Sequence, residues 1–352
     1  MALPVRDDLA DLADYHSPQV TVDVRLNTNE SPYPPPPAWR EAFLDELATA
    51  SFHRYPDRRA VALRGAIAEL HGVRPAQIFA ANGSNEVIQA LCIAYGGPRR
   101  SAVVFEPTYA LHSHIARLTG TTVVTGARDD DFALNPQAAQ QTIAEAAPAI
   151  TFLCSPNNPT GMVDAAETLA AVRAGAPGLV VVDEAYGQFA PNSAVDGVAD
   201  GANLVVTRTF SKTWSMAALR LGYCVAPAEV VAALERVALP YHLDVAQQIA
   251  GRLALRYRGE MEARVATLVQ ERERLTEALG KLAVDVWPSG ANFVLFRPRS
   301  AKGSDVWEAL VARSVLVRNC STWPRLDDCL RVTVGTPAED DAFLGALGEV
   351  LA

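Results

Sequence analysis

The chain has 352 residues, 49% hydrophobic and 20% charged, with a formal net charge of −9. That length is too great for one small core and suits a large domain with a smaller companion. With no basic run to offset it, the acidic balance excludes nucleic acid as an obligate partner, and no apolar stretch is long enough to span a membrane. Five cysteines (92, 154, 224, 320 and 329) have neither CxxC nor metal-ligand spacing, and the six histidines show no paired spacing, so no metal site is expected. Scattered thiols and an N-terminus without an apolar signal core read as a reduced, cytoplasmic protein.

In chain order, residues 1–40 read as an extended arm, because Pro32, Pro34, Pro35, Pro36 and Pro37 leave a stiff polyproline-like tether. A short helix follows at Trp39–Ala48. From residue 60 to about 225 helix-like and strand-like units alternate. Strands are expected at 78–81, 102–105, 121–125, 149–154, 179–182 and 203–207. Helices are expected at 61–71, 86–94, 110–119, 136–146 and 164–174, the last opened by a capping box, Asp164-Ala-Ala-Glu167. This alternation predicts an α/β fold with a mainly parallel sheet covered on both faces. A long helical stretch runs from Asp244 to about Leu282, with Glu271–Arg274 as a solvated face. Runs at 289–296 and 330–335 read as strands of a smaller α/β domain. The expected division is an arm at 1–40, a large domain at 41–240, and a small domain at 241–352 packing with the arm.

Chemistry concentrates where the strands end. The apolar run Leu204–Thr207 leads into Thr209, Ser211 and Lys212, and Arg220 follows eight residues after the lysine. An amine at the end of a buried strand is desolvated, which lowers its pKa and frees it as a nucleophile; the hydroxyls and guanidinium suit a bound phosphate. Ala81-Asn-Gly-Ser-Asn-Glu86 turns a strand into a helix, where Gly83 permits close backbone approach and Ser84 can cap beside a phosphate. Leu179–Tyr186 ends a doubly buried run with a carboxylate, Asp183. Cys154-Ser-Pro-Asn-Asn-Pro-Thr-Gly161 fixes an irregular loop that presents an amide, and Tyr109 in Glu106-Pro-Thr-Tyr109 offers a flat ring at the sheet's mouth.

Thr-Phe-Ser-Lys212 followed by Ala-Leu-Arg220-Leu-Gly-Tyr resembles the lysine segment of fold-type I aminotransferases that use pyridoxal 5′-phosphate, specifically the histidinol-phosphate aminotransferase branch. The resemblance runs from Tyr15 to Gly335 with motifs in family order. It implies a large domain bearing the cofactor, a smaller C-terminal domain and an N-terminal arm. It also implies that Lys212 carries the cofactor covalently, with Gly83, Ser84, Asn85, Thr209, Ser211 and Arg220 around its phosphate. Asp183 would then face the pyridine nitrogen, Asn158 and Tyr186 the 3′-oxygen, and Tyr109 the ring face.

The arm segment Leu26-Asn-Thr-Asn-Glu-Ser-Pro-Tyr33 is similar to the family's arm signature, with Ser31 where asparagine is usual, and brings Asn29 to the substrate. Tyr15, Arg318 and Arg331 correspond to residues that hold the substrate anion. Arg54-Tyr-Pro-Asp57 resembles the segment that sends its tyrosine, here Tyr55, to the partner subunit's cofactor phosphate, which implies a homodimer. The segment 319–329 departs most from the family pattern.

The activity implied is amino-group transfer between L-histidinol phosphate and 2-oxoglutarate. An aromatic amino-acid aminotransferase shares every cofactor residue and stays open, as does threonine-phosphate decarboxylation on the same scaffold. A cofactor-sensing regulator is a third alternative; it is disfavoured because no helix-turn-helix precedes the arm.

Overall fold

A computed structural model describes residues 3, 6–9, 12 and 19–352; Tyr15 lies outside the described residues. Twelve strands among them form two sheets. In chain order they are β1 (Val24–Leu26), β2 (Ile78–Ala81), β3 (Ser101–Glu106), β4 (Thr122–Ala127), β5 (Ile150–Cys154) and β6 (Leu179–Asp183). Then come β7 (Leu204–Thr209), β8 (Gly222–Val225), β9 (Val284–Val286), β10 (Phe293–Pro298), β11 (Val315–Asn319) and β12 (Leu330–Thr333).

The larger sheet has the order β2-β8-β7-β6-β5-β3-β4, and β8 alone runs against its neighbours. Every residue of β5, β6 and β7 is buried, as continuous apolar runs covered on both faces should be. One face packs Val103, Leu153, Val182 and Val206 against helix Val61–His71 and its neighbours. The other packs Val104, Phe152, Val181 and Val205 against helices Ser84–Tyr95, Ala110–Leu118 and Ala228–Val237. Parallel register aligns Cys154, Asp183 and Thr207, so three adjacent strands end at one edge.

The smaller sheet has the order β1-β11-β12-β10-β9. Here the arm departs from its expected irregular form. Val24–Leu26 pairs in parallel with Val315–Val317 and buries Leu26 in the smaller core. Pro37 opens the next helix at a position where its missing N–H costs nothing. Trp39 on that helix is buried and donates through Nε1 to the Ala250 carbonyl (3.1 Å). Helix Val245–Ala254 therefore packs in the larger sheet's core, together with Met261. Further along the 22-residue helix Arg258–Leu279, Leu268, Leu275 and Leu279 enter the smaller core. The change of core thus falls inside this helix.

Three local expectations are corrected. Ser84 is the first helical residue, and Gly83 takes the cap position with φ 81°. Asp164 caps nothing: it forms a buried two-pronged pair with Arg128 (2.7 and 3.0 Å), and Ala165 precedes the helix instead. Glu271 is buried rather than solvated, and grips Arg274 at 2.6–3.0 Å.

Candidate active site

A cavity of about 380 Å³ opens at the carboxyl edge of the larger sheet, within the range usual for small-molecule sites. Asn27–Glu30 of the arm and Arg318, Trp323 and Arg331 of the smaller sheet's side complete its wall. Ser84, Asn85, Tyr109, Asn158, Asp183, Tyr186, Thr209, Ser211, Lys212, Arg220 and Asn29 line it.

One end is an anion cradle. The strand-to-helix turn at Gly83 places the start of helix Ser84–Tyr95 in the same cavity wall as Thr209, Ser211 and Arg220. Glycine suits the turn because its φ of 81° strains other residues, and a Cβ there would lie 2.8 Å from Arg220 Nη2 and displace that guanidinium. A Cβ on Gly222, which pairs with Thr209, would fall 2.2 Å from the Ser84 nitrogen. Thr209 donates to Ser211 Oγ (2.9 Å), which also lies 3.4 Å from Arg220 Nη1. Helix amides, two hydroxyls and a guanidinium converging on one space suit a phosphate.

The carboxylate of Asp183, at the end of β6, is fully buried. Its Oδ1 accepts from Thr207 Oγ1 (3.1 Å) and the Ala185 amide (3.1 Å). His112 lies 3.0 Å away through Nε2; since a carboxylate only accepts, Nε2 carries the proton. The imidazole is stacked on Phe152 (4.9 Å between centroids) and meets Tyr109 edge-on (5.3 Å). Sequence reasoning missed His112, though it sits three residues after Tyr109, in the first turn of the helix that Tyr109 precedes.

Lys212 extends into the cavity and donates to the Thr28 carbonyl (2.9 Å), a contact invisible in sequence. Burial pushes its ammonium down to about 7; Arg331 and Arg220 act in the same direction and Glu30 opposes them. Near neutral pH roughly half of the amine is thus unprotonated and available as base or nucleophile. The Tyr186 hydroxyl accepts from Asn29 Nδ2 (2.9 Å), and burial raises its pKa, so the phenol keeps its proton. Asn157 is structural, bonding the Pro107 carbonyl (3.0 Å) and Thr160 (2.8 Å), which leaves Asn158 to face the cavity. Tyr109 donates to Asn85 Oδ1 (3.2 Å).

The opposite end is cationic. Arg318 and Arg331 stand directly opposite each other on β11 and β12, both nearly buried. Arg331 donates to Asn158 Oδ1 and to the Asn27 carbonyl (2.9 Å), and lies over the Phe293 ring (5.0 Å). Its Nε finds no partner among the described residues. Like charges opposed across strands repel, and the Asn158 and Asn27 oxygens take up part of the Arg331 charge.

One expected site residue stands apart. Tyr55 is 79% exposed, stacked on Tyr241 (4.4 Å), and does not line its own chain's cavity. All five cysteines are free and buried. Among the described residues no group of acidic, histidine or cysteine side chains could hold a metal, and no helix is long and apolar enough to cross a membrane.

The family model for aminotransferase class I and II matches residues 21–347. The chain belongs to the class I and II aminotransferases. Among curated members of this aminotransferase family, the histidinol-phosphate aminotransferase of Thermobifida fusca is 46% identical over 98% of this chain and 95% of its own. That of Frankia casuarinae is 44% identical over 99% and 90%. A solved structure from Erwinia carotovora atroseptica, described as a putative histidinol-phosphate aminotransferase, superposes with a TM-score of 0.86 at 27% identity, covering 94% of this chain and 98% of that one. The Sinorhizobium meliloti enzyme in complex with pyridoxal 5′-phosphate has the same fold (TM-score 0.85, 23% identity, 94% and 91% covered).

Pyridoxal phosphate fits the residues present. The cradle would suit a phosphate and buried Asp183 a protonated ring nitrogen, with Tyr109 offering a ring face and Lys212 an amine of lowered pKa.

Proposed function

We propose that this aminotransferase binds pyridoxal 5′-phosphate and transfers the amino group of L-histidinol phosphate to 2-oxoglutarate, giving imidazole acetol phosphate and L-glutamate. The observation that carries the donor assignment is the opposed pair Arg318 and Arg331 facing Lys212 across the cavity. Two buried guanidiniums suit a dianionic phosphate, with charge-assisted bonds of roughly 1.5–3 kcal/mol each. Full-length relatives named for this reaction at 41–46% identity support the same reading.

Each residue then has a defined task. Gly83, Ser84, Asn85, Thr209, Ser211 and Arg220 bind the cofactor phosphate. Asp183, oriented by His112 and Thr207, keeps the ring nitrogen protonated. Asn158 and Tyr186 flank the 3′-oxygen, and Tyr109 covers the ring. When bound, the cofactor supplies an aldehyde for the amino group and an electron sink beside the substrate carbon. Lys212, whose pKa of about 7 leaves roughly half of it unprotonated at pH 7, would hold and pass on the proton that the substrate carbon gives up. Arg331 grips phosphate in one half-reaction and carboxylate in the other, Arg318 and Tyr15 favour the phosphate substrate, and Asn29 stands beside the substrate while holding the Tyr186 hydroxyl (2.9 Å).

The proposal extends to assembly and setting. An exposed Tyr55 beside Tyr241 fits a homodimer in which each tyrosine reaches the partner's cofactor phosphate. Buried free thiols fit a cytoplasmic location. We divide the chain into an arm, a large cofactor-bearing part and a smaller part, and put the change of domain inside helix Arg258–Leu279. The test is Arg318→Ala. It should damage the half-reaction with histidinol phosphate more than that with 2-oxoglutarate; equal loss in both would reject the phosphate assignment.

A further inference from the structure

We infer that Trp323 sets selectivity for the anionic end of the amino donor, and that Arg325 holds it in place. This rests on the phosphate-binding role proposed for Arg318. Trp323 belongs to the segment 319–329, the stretch least like the family pattern. The segment is a compact turn. Its neck is closed by the Cys320 amide donating to the Cys329 carbonyl (3.0 Å). The Trp323 amide donates to the Cys320 carbonyl (2.9 Å), and the Leu326 amide to the Trp323 carbonyl (3.2 Å). Cys320, Leu326 and Cys329 are buried and anchor the turn beside Leu295 and Phe132.

From this base Trp323 enters the cavity wall with its ring 5.5 Å from the Arg318 guanidinium. The tip of the turn is fastened to the other sheet. Arg325 donates to the Arg128 and Asp129 carbonyls (3.2 Å to the latter) and to Asp130 Oδ1 (2.9 Å). Those acceptors follow β4, where Arg128 is itself pinned by Asp164. Trp323 is thus fixed from both sides of the cavity.

A ring against one face of a guanidinium replaces water on that face. Water removed from Arg318 lowers the local dielectric, which strengthens its bonds to an anion. The gain goes only to amino substrates whose far end carries the charge. Trp323 therefore acts through Arg318 on donor selectivity, and Arg325 is a positioning residue.

The experiment compares Trp323→Ala, Trp323→Phe, Arg325→Ala and Arg318→Ala with the unmutated, cofactor-loaded protein. Half-reactions are followed with histidinol phosphate and with histidinol. Trp323→Ala should raise the half-saturation concentration for histidinol phosphate about tenfold, as expected for a desolvated cation–π contact. The limiting rate should change little, histidinol should be affected less, Trp323→Phe should recover most of the loss, and Arg325→Ala should shift the same way by less.

A second readout needs no turnover. In borohydride-reduced protein, where the cradle is filled, calorimetry should show weaker inorganic phosphate binding in Trp323→Ala than in the unmutated chain. Equal losses for both amines in Trp323→Ala, or a fall in limiting rate alone, overturn the inference. If Arg318→Ala is also unselective, the phosphate assignment itself fails. If Arg318→Ala is selective and Trp323→Ala is not, only the role of Trp323 fails.

Discussion

Replacing Lys212 by methionine in the cofactor-free protein should stabilise the fold, by an amount that depends on pH. Burial holds the ammonium down from 10.5 to about 7, with Arg331 the next contributor. A proton is therefore bound less tightly in the fold than in the unfolded chain. Between about pH 7 and 10.5 unfolding takes up a proton, so stability rises with pH through that window. Below it the full cost is present, and above it the cost is gone. Each pH unit in the window is worth about 1.4 kcal/mol, which makes the whole cost on the order of 5 kcal/mol. Methionine has similar reach and no charge, so it removes that cost at every pH. It also loses the bond to the Thr28 carbonyl (2.9 Å). Such a bond is worth about 1 kcal/mol. Urea unfolding between about pH 6 and about pH 9.5 should show the variant's advantage shrinking by roughly 3 kcal/mol. An advantage that stays constant with pH would refute the depressed lysine.

Three further outcomes follow from the geometry. Arg128→Met should cost roughly 3–5 kcal/mol in urea unfolding because it strands buried Asp164, whereas Arg128→Met with Asp164→Leu should recover most of the loss. Gly222→Ala pushes a Cβ to 2.2 Å from the Ser84 nitrogen. It should cost about 1–3 kcal/mol and speed cofactor loss on dialysis. Mixing Tyr55→Phe with Lys212→Ala subunits should restore activity lacking in either alone, since one site per dimer escapes both lesions; an active monomer would contradict shared sites.

Much of the larger sheet was legible in the sequence, because β5, β6 and β7 are apolar on both faces and end in polar residues. Parallel register then carries Asp183 and the hydroxyls near Lys212 to one edge. What the sequence hid is tertiary. β1 is only three residues long and becomes a strand through pairing with β11, which nothing local announces. Asp164 has the spacing of a cap, but a buried arginine 36 residues earlier in the chain outcompetes a helix amide for its carboxylate. Glu271 looked solvated beside Arg274 because charge patterning reports spacing, not depth. His112, the Thr28 carbonyl and Trp323 enter the site by packing. Only the His112 position carried a local hint, one helical turn from Tyr109.

The central claim is that an amino donor with a phosphate at its far end is the substrate. The most direct measurement follows the cofactor spectrum of the unmutated protein during single half-reactions with histidinol phosphate, phenylalanine and threonine phosphate. Histidinol phosphate should convert the cofactor with the highest rate constant per unit concentration, and 2-oxoglutarate should restore the starting spectrum. Phenylalanine outrunning histidinol phosphate, or threonine phosphate releasing carbon dioxide, would contradict it.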